Sequence, residues 1–366
     1  MNLFDFEKPP KDTRIVVAMS GGVDSSVAAA LMVEAGFEVI GMTLQLYDHG
    51  MALSKKGACC AGQDIYDARQ VCDKLKIPHY VLDYESRFSQ AVIEDFADSY
   101  LKGETPIPCV RCNQQVKFKD LLTTARDLNA KALITGHYVQ RVMKHNKAEL
   151  HRAVDLTRDQ SYFLFATTQA QLDFLHFPLG GMPKIDTRQH AARFGLEIAE
   201  KPDSQDICFV PNGSYVSVLE KLRPGSLEEG DIVHVDGQVL GRHKGIINYT
   251  IGQRKGLGIG GGDPLYVIRL NPEKHQVIVG PYAALARTEI RVKDMNWLGE
   301  TGQFPLRCEV KVRSTRPPVS ADVYLEEGGY ARVVFSNAEY GVAAGQACVF
   351  YEENRVLGGG WILRDN

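Results

Sequence analysis

The chain has 366 residues, of which 44% are hydrophobic and 24% charged; this balance excludes a mainly disordered or fibrous state and leaves room for two or three domains. A formal net charge of −3 gives no whole-molecule attraction to a polyanion, so nucleic acid would have to be held by local basic groups. Eight cysteines are too sparse for a disulfide scaffold.

Residues 1–15 hold no apolar leader core, and no later stretch approaches the roughly 18 apolar residues of a membrane span. The expected compartment is therefore the cytoplasm, with thiols reduced and no membrane partner. From residue 14 to 135, apolar runs at 15–19, 39–46, 80–82 and 132–135 alternate with helical patterns at 27–34, 65–75, 88–101 and 116–128. This rhythm predicts βαβ units and an α/β fold with a doubly wound, mostly parallel sheet. Within 65–75 the residues Ile65, Ala68, Cys72 and Leu75 recur at steps of three and four. Cys72 is thus read as a buried apolar residue of a core-facing stripe.

Residues 138–154 read as a hairpin turning at His145-Asn146, and helical segments are expected from 160 to 199 as an extension of the sheet domain. From Gly230 the texture changes to short alternating strands at 231–235, 266–270, 277–279, 310–313, 331–335 and 347–351. These predict two small β-rich domains divided near Gly280-Pro281. The expected layout is 1–205, 206–281 and 282–366.

The sharpest signal is Ser20-Gly21-Gly22-Val23-Asp24-Ser25-Ser26, placed between the first strand and an alanine-rich helix. Two glycines let bare backbone N–H groups approach an anion, hydroxyls add donors, and the helix N-terminus points its positive end at the same spot. The string is neither a Walker A loop, since no lysine follows the glycines, nor a G-x-G-x-x-G fingerprint. It resembles the loop of the PP-loop ATP pyrophosphatases, which adenylate a carbonyl oxygen and release pyrophosphate. A second glycine run, 256–262, is followed by Asp263-Pro264 and a strand, so no helix terminus is there to hold phosphate.

Cys109-Val110-Arg111-Cys112-Asn113 follows a proline-punctuated loop and precedes a helix containing Lys117-Phe118, while Cys208 lies in Ser204-Gln205-Asp206-Ile207-Cys208-Phe209. A loop thiol near a helix N-terminus and beside Arg111 and Lys117 has its thiolate favoured. Two such thiols suggest a relay. No second C-x-x-C or close Cys/His pair completes a zinc site. Cys59-Cys60 is ambiguous, and Cys308 and Cys348 sit in strand-like contexts that suggest structural roles.

These motifs, together with Thr135-Gly136-His137-Tyr138, Arg158-Asp159-Gln160-Ser161-Tyr162-Phe163 and Tyr249-Thr250-Ile251-Gly252-Gln253-Arg254, resemble in order the tRNA-specific 2-thiouridylase family over nearly the whole chain. The resemblance implies an adenine nucleotide alpha hydrolase-like PP-loop domain with a helical extension and two small β-rich domains. It implies that ATP, with Mg²⁺, activates C2 of the wobble uridine and that a persulfide on Cys208 delivers sulfur. Cys112 would be the partner thiol, through a transient disulfide with Cys208.

The matching ATP contacts are Ala18, Met19, Ser20, Gly21, Gly22, Val23, Asp24, Ser25, Leu44 and Gly136. The matching tRNA contacts are Ile107, Pro108, Cys109, His137, Arg158, Asp159, Gln160, Arg313, Ser314 and Gln346. Arg242, His243, Lys244, Arg254 and Lys255 interleave with Tyr249 as a possible phosphate-binding face with one stacking ring, or as a solvated basic face. The implied partners are tRNAs for lysine, glutamate and glutamine, and a cysteine desulfurase or sulfur carrier.

Many family members have aspartate where this chain has Cys109, so Cys109, Cys112 and Cys208 form an alternative ligand set for a [4Fe-4S] cluster. Other readings are a PP-loop amidating ligase, which has no need of Cys112 and Cys208, and a non-catalytic RNA-binding module.

Overall fold

The apolar runs of the first 180 residues become a five-stranded parallel sheet of β1 (Arg14–Ala18), β2 (Glu38–Gln45), β3 (His79–Asp83), β4 (Leu133–Ile134) and, after the hairpin β5 (Val139–Lys144) and β6 (Lys147–Arg152), β7 (Leu175–His176). The structure is a computed structural model that describes residues 9–47, 60–203, 207–210, 215–260, 262–298 and 302–364. Cys59, the side chain of Cys60, and Ser204, Gln205 and Asp206 of the second cysteine motif lie outside the described residues.

Strand order is β3-β2-β1-β4-β7 with every pairing parallel. Ile15, Val16 and Val17 of β1 are fully buried, as expected for a central strand covered on both faces. Helix α1 (Val23–Glu34) buries Val27, Ala28, Ala29 and Met32, and its small alanines permit close approach to the sheet. Helix α2 (Cys60–Leu75) buries Ala68, Val71 and Cys72. Cys72 packs so tightly over β2 that a Cβ on Gly41 would stand 2.7 Å from its sulfur. Burial pushes this thiol up to about 12, so the reading of Cys72 as core holds.

Three local differences have physical causes. The segment expected to be helical from 160 to 199 contains β7, a two-residue strand too short to show period-two alternation, among the helices Gln169–Leu172 and Lys184–Arg193. The helix expected from 116 starts at Pro108, whose fixed φ and absent N–H suit a first helical turn. It then widens into a π-helix, Cys112–Leu121, before Leu122–Asp127. A second π-helix, Ser89–Ile93, interrupts the expected helix 88–101 ahead of Glu94–Leu101. The hairpin turn falls where expected, with His145 at φ 49° and Asn146 at φ 61°.

The chain gathers into two compact units, one of residues 1–91, 110–205 and 354–356, the other of 92–109, 206–353 and 357–366. In the second, helix Glu94–Leu101 places Phe96 edge-on to Phe209 at 5.2 Å and stacks Tyr100 on Tyr215 at 4.9 Å. The strands β8 (Gly230–His234), β9 (Val239–His243), β10 (Tyr266–Asn271) and β11 (Gln276–Gly280) form a sheet in the order β10-β11-β8-β9.

The strands β12 (Ala286–Trp297), β13 (Leu306–Lys311), β14 (Val319–Glu326), β15 (Tyr330–Tyr340), β16 (Ala347–Glu352) and β17 (Arg355–Ile362) follow in the order β12-β15-β14-β13-β16-β17. Val292 of β12 pairs back on Ile362 of β17, so this sheet closes on itself as a barrel around Val310, Val323, Val333 and Phe350. The expected α/β domain followed by β-rich domains is thus the observed architecture. Cys348 is fully buried in the barrel core, and burial pushes Cys308 up to about 12.

Candidate active site

Strand order reverses between β1 and β4, because β2 and β3 lie to one side of β1 and β4 and β7 to the other. Ligands of open α/β sheets sit outside the carboxyl ends of the strands at such a switch point. The loops that leave β1 and β4 here are residues 19–22 and the stretch Thr135, Gly136, His137.

The loop after β1 is built for close backbone approach. Gly21 has φ +72°, and a Cβ there would stand 2.2 Å from the Asp64 carbonyl oxygen. Gly22 is the N-cap of α1 and offers no side chain to its first turn, leaving those amides for another acceptor. Ser25 Oγ accepts from the Ser20 amide at 3.1 Å and lies 3.0 Å from Ser20 Oγ, which fixes the loop's shape. Ala18 ends β1, the Met19 amide donates to the Met42 carbonyl at 2.7 Å, and Val23 is buried in the first turn. Leu44 is half-buried near the carboxyl end of β2.

Gly136 is pressed against this turn, since a Cβ would lie 2.8 Å from both the Ser25 nitrogen and the Asp24 carbonyl carbon. The structure therefore brings the Thr135-Gly136-His137-Tyr138 motif against the glycine loop. Tyr138 donates its hydroxyl to Asp24 Oδ1 at 2.9 Å and lies 2.9 Å from Thr187 Oγ1. His137 Nδ1 pairs with Thr135 Oγ1 at 2.8 Å, while Phe118 and Phe177 stand edge-on to the ring. Burial, aided by nearby Lys117, drives the His137 pKa down to about 3, although the residue as a whole is only half-buried. The ring is therefore neutral near pH 7 and hydrogen-bonded to Thr135.

The division between the units runs through the first cysteine motif, with Cys112 in one unit and Cys109 and Cys208 in the other. Cys109 is exposed, whereas Cys112 at the start of the π-helix is 7% exposed. Beside it, Asn113 Nδ2 donates to the Phe163 carbonyl at 3.3 Å, while its buried Oδ1 has no partner among the described residues. Cys208 is exposed in the turn before Phe209 and Val210. Among the described residues no group of three or more His, Cys, Asp or Glu side chains is gathered as a metal site.

Several residues expected to meet RNA are engaged inside the protein. Asp159 accepts from Ser161 Oγ at 2.8 Å and from the Ala153 amide at 3.2 Å, and Gln160 Oε1 accepts from the Tyr138 amide at 2.8 Å. Arg313 donates to the Ile251 carbonyl at 2.8 Å, and Gln346 donates to the Thr105 carbonyl at 2.8 Å. Ile107 and Pro108 are buried and Ser314 half-buried, while Arg158 is exposed. His243 and Tyr249 do not face solvent. His243 Nδ1 accepts from the Gly245 amide at 2.9 Å and Nε2 donates to the His275 carbonyl at 3.0 Å, with Tyr249 packed edge-on. The middle domain's stacking ring is thus a core residue. Arg242, Lys244, Arg254 and Lys255 remain exposed.

Profiles of known families match the chain in three blocks: a tRNA methyl transferase HUP domain at residues 13–212, a tRNA methyl transferase PRC-barrel domain at 217–281, and an aminomethyltransferase beta-barrel domain at 287–362. The chain is 63% identical to the tRNA-specific 2-thiouridylase MnmA of Rhodospirillum centenum over all of its own length and 95% of that protein. The chain belongs to the tRNA-specific 2-thiouridylase family. The member from Ruegeria pomeroyi is 61% identical, with 100% of this chain and 99% of that one covered. Among solved structures, a 4-thiouridine synthetase–RNA complex with bound ATP aligns at 17% identity and a TM-score of 0.37, over 58% of this chain and 50% of that one, a likeness too distant to carry an argument.

Two lysines at this family's glycine loop escape a reading by motif. Lys184, in the first turn of helix Lys184–Arg193, is 8% exposed and places Nζ 2.7 Å from Asp24 Oδ1 and 2.9 Å from Asp203 Oδ1. Burial alone would raise the Asp203 carboxyl, but Lys184, Arg158 and Arg188 together hold it below the usual carboxylate range. Lys201 donates to the Gly21 carbonyl at 2.9 Å, to Asp64 at 2.7 Å and to Asp67 at 2.5 Å. Burial opposes its charge, yet the two carboxylates raise its pKa. Neither lysine stands at a motif spacing from the loop.

Proposed function

We propose that this chain is an ATP-dependent tRNA-uridine 2-sulfurtransferase. It adenylates the C2 oxygen of the wobble uridine, transfers sulfur to C2 from a persulfide on Cys208, and releases AMP and pyrophosphate. The observation that carries the reading is the glycine cradle at the β1/β4 switch point, with Asp24 fixed by Lys184 and Tyr138, in a member of this family.

The chemistry divides along these residues. First-turn amides of α1 and the hydroxyls of Ser20 and Ser25 bind and orient the triphosphate. Attack of the uridine C2 oxygen on the α-phosphorus releases pyrophosphate and converts a poor leaving group into AMP. The outer sulfur of the Cys208 persulfide then attacks C2, and AMP departs. The resulting Cys208–S–S–C2 linkage is cleaved by the Cys112 thiolate at the Cys208 sulfur, which gives 2-thiouridine and a Cys112–Cys208 disulfide. An external thiol must supply two electrons to reset it. Neutral His137 and the Ile107, Pro108 and Cys109 stretch are the groups assigned to the extruded base.

Mg²⁺ would arrive with the ATP phosphates, and Asp24 is the carboxylate beside the loop that suits it. For the three-thiol [4Fe-4S] alternative, no ligand group of three is assembled among the described residues. The substrates are assigned as tRNAs for lysine, glutamate and glutamine, with sulfur from a cysteine desulfurase or a carrier. The domain layout 1–205, 206–281 and 282–366 is supported by the three profile spans.

The test is pyrophosphate release from ATP with unmodified tRNA, alongside iron and acid-labile sulfide in anaerobically purified protein. The reading expects tRNA-dependent release that persists in Cys208→Ser, and no stoichiometric iron. Release without tRNA dependence, or about four irons per chain, would overturn it.

A further inference from the structure

The segment that leads to Ile107, Pro108 and Cys109 is gripped by the C-terminal part of its own unit. Gln346 Nε2 donates to the Thr105 carbonyl at 2.8 Å, and the Thr105 amide donates to the Ala344 carbonyl at 2.8 Å. Both backbone groups of Thr105 are therefore committed to one turn of the barrel. Between the two bonds lies Gly345 at φ +82°, where a Cβ would stand 2.9 Å from Glu104 Cβ and 3.1 Å from the Thr105 nitrogen. Only glycine allows this approach at this conformation.

The same segment is held at its root. Arg364 donates to the Lys102 carbonyl at 3.1 Å, and Gly103, at φ +71°, packs so closely on Leu270 that a Cβ would lie 3.2 Å from its side chain. Beyond Thr105 the chain has little freedom, because Pro106 and Pro108 fix φ on either side of Ile107. Whatever places Thr105 therefore places Ile107, Pro108 and the exposed Cys109.

We propose that Gln346 is a positioning residue. With Ala344 and Gly345 it sets the register of residues 105–109 and so aims the base-facing stretch, and its amide donor serves the protein instead of binding RNA. The inference rests on the assignment of Ile107, Pro108 and Cys109 to the target base. It changes the role of a side chain that sequence reasoning placed among the tRNA contacts.

The experiment compares full-length protein with Gln346→Met, which keeps size and removes the donor, and Gly345→Ala, which removes no polar group. Three quantities are read: tRNA affinity, single-turnover thiolation at saturating tRNA, and the iodoacetamide alkylation rate of Cys109 by peptide mass analysis. Alkylation is scored on the folded fraction, since Cys72 is fully buried and labels only on unfolding.

A positioning role predicts that both variants lose about tenfold or more in the saturating rate, as misplaced reacting groups do. It also predicts tRNA affinity within about twofold and a Cys109 alkylation rate shifted about threefold or more. A Gln346→Met protein that loses tRNA affinity but keeps its saturating rate and its Cys109 alkylation rate makes Gln346 an RNA contact and overturns the proposal. If wild-type protein makes no 2-thiouridine, the functional reading falls instead, and an unchanged Cys109 alkylation rate still decides against the grip on the loop.

Discussion

Lys184 Nζ lies 2.7 Å from Asp24 Oδ1 although 160 residues separate them, and the same ammonium lies 2.9 Å from Asp203 Oδ1. One buried cation thus serves the first turn of α1 and the carboxylate that precedes Cys208 by five residues. Removing it leaves two carboxylates facing each other without their shared countercharge. Lys184→Met is expected to cost about 2 kcal/mol in urea unfolding, less than a fully isolated buried pair because Asp203 keeps Arg158 and Arg188. TRNA-dependent pyrophosphate release should fall by about 100-fold. A variant that releases pyrophosphate at the wild-type rate would remove Lys184 from the account of the loop.

Gly136 offers a sharper probe of the cradle. A Cβ at this position meets the Ser25 nitrogen and the Asp24 carbonyl carbon at 2.8 Å, whereas one at Gly181 meets nothing within 4 Å. Gly136→Ala should raise the KM for ATP about tenfold or more by displacing the first turn of α1. Gly181→Ala is the matched control, and equal kinetics for the two variants would contradict the placement of Gly136 at the nucleotide.

The cysteines separate by environment. Cys72 and Cys348 are fully buried, and burial pushes Cys308 up to about 12, so Cys308→Ala should keep thiolation within about twofold. Cys112→Ser and Cys208→Ser should each abolish 2-thiouridine formation while pyrophosphate release continues. Thiolation by Cys208→Ser at even a tenth of the wild-type rate would end the persulfide assignment.

Two histidines, His176 buried and His137 half-buried, set an acid limit on stability. Burial, with Lys117 near one and Arg141 near the other, drives both His137 and His176 down to about 3. Below about 6.5 the unfolded chain binds protons that the folded chain refuses until about 3, so stability is full above 6.5 and falls as pH drops through this window. Each histidine contributes a slope of about 1 kcal/mol per pH unit within it. The Tm should decline from pH 7 to 5, and His137→Gln should decline less steeply. Parallel slopes would show that His137 is not held neutral.

What sequence alone disclosed tracks how local each cause is. The strand β1, helix α1, the glycine loop and the His145-Asn146 turn follow from neighbouring residues and stand where expected. Cys72 was readable because its stripe repeats every three or four residues. The strand β7 was not, since two residues carry no period and are fixed only by pairing with β4. Nothing near Lys184 or Lys201 in the chain announces the glycine loop, because their partners are reached through the fold. Gln346 and Arg313 bond to the protein's own backbone and Tyr249 packs in the core, partners likewise reached only through the fold.

Adenylation by ATP at the glycine loop and sulfur carried on Cys208 are held to act together on one uridine. The most direct test is mass analysis of tRNA nucleosides after incubation with ATP, Mg²⁺ and a persulfide donor, a cysteine desulfurase with cysteine, for wild-type protein and Cys208→Ser. The account predicts ATP-dependent 2-thiouridine at the wobble position with wild-type protein and none with the variant. Sulfur found at another nucleoside, or 2-thiouridine formed without ATP, would contradict it.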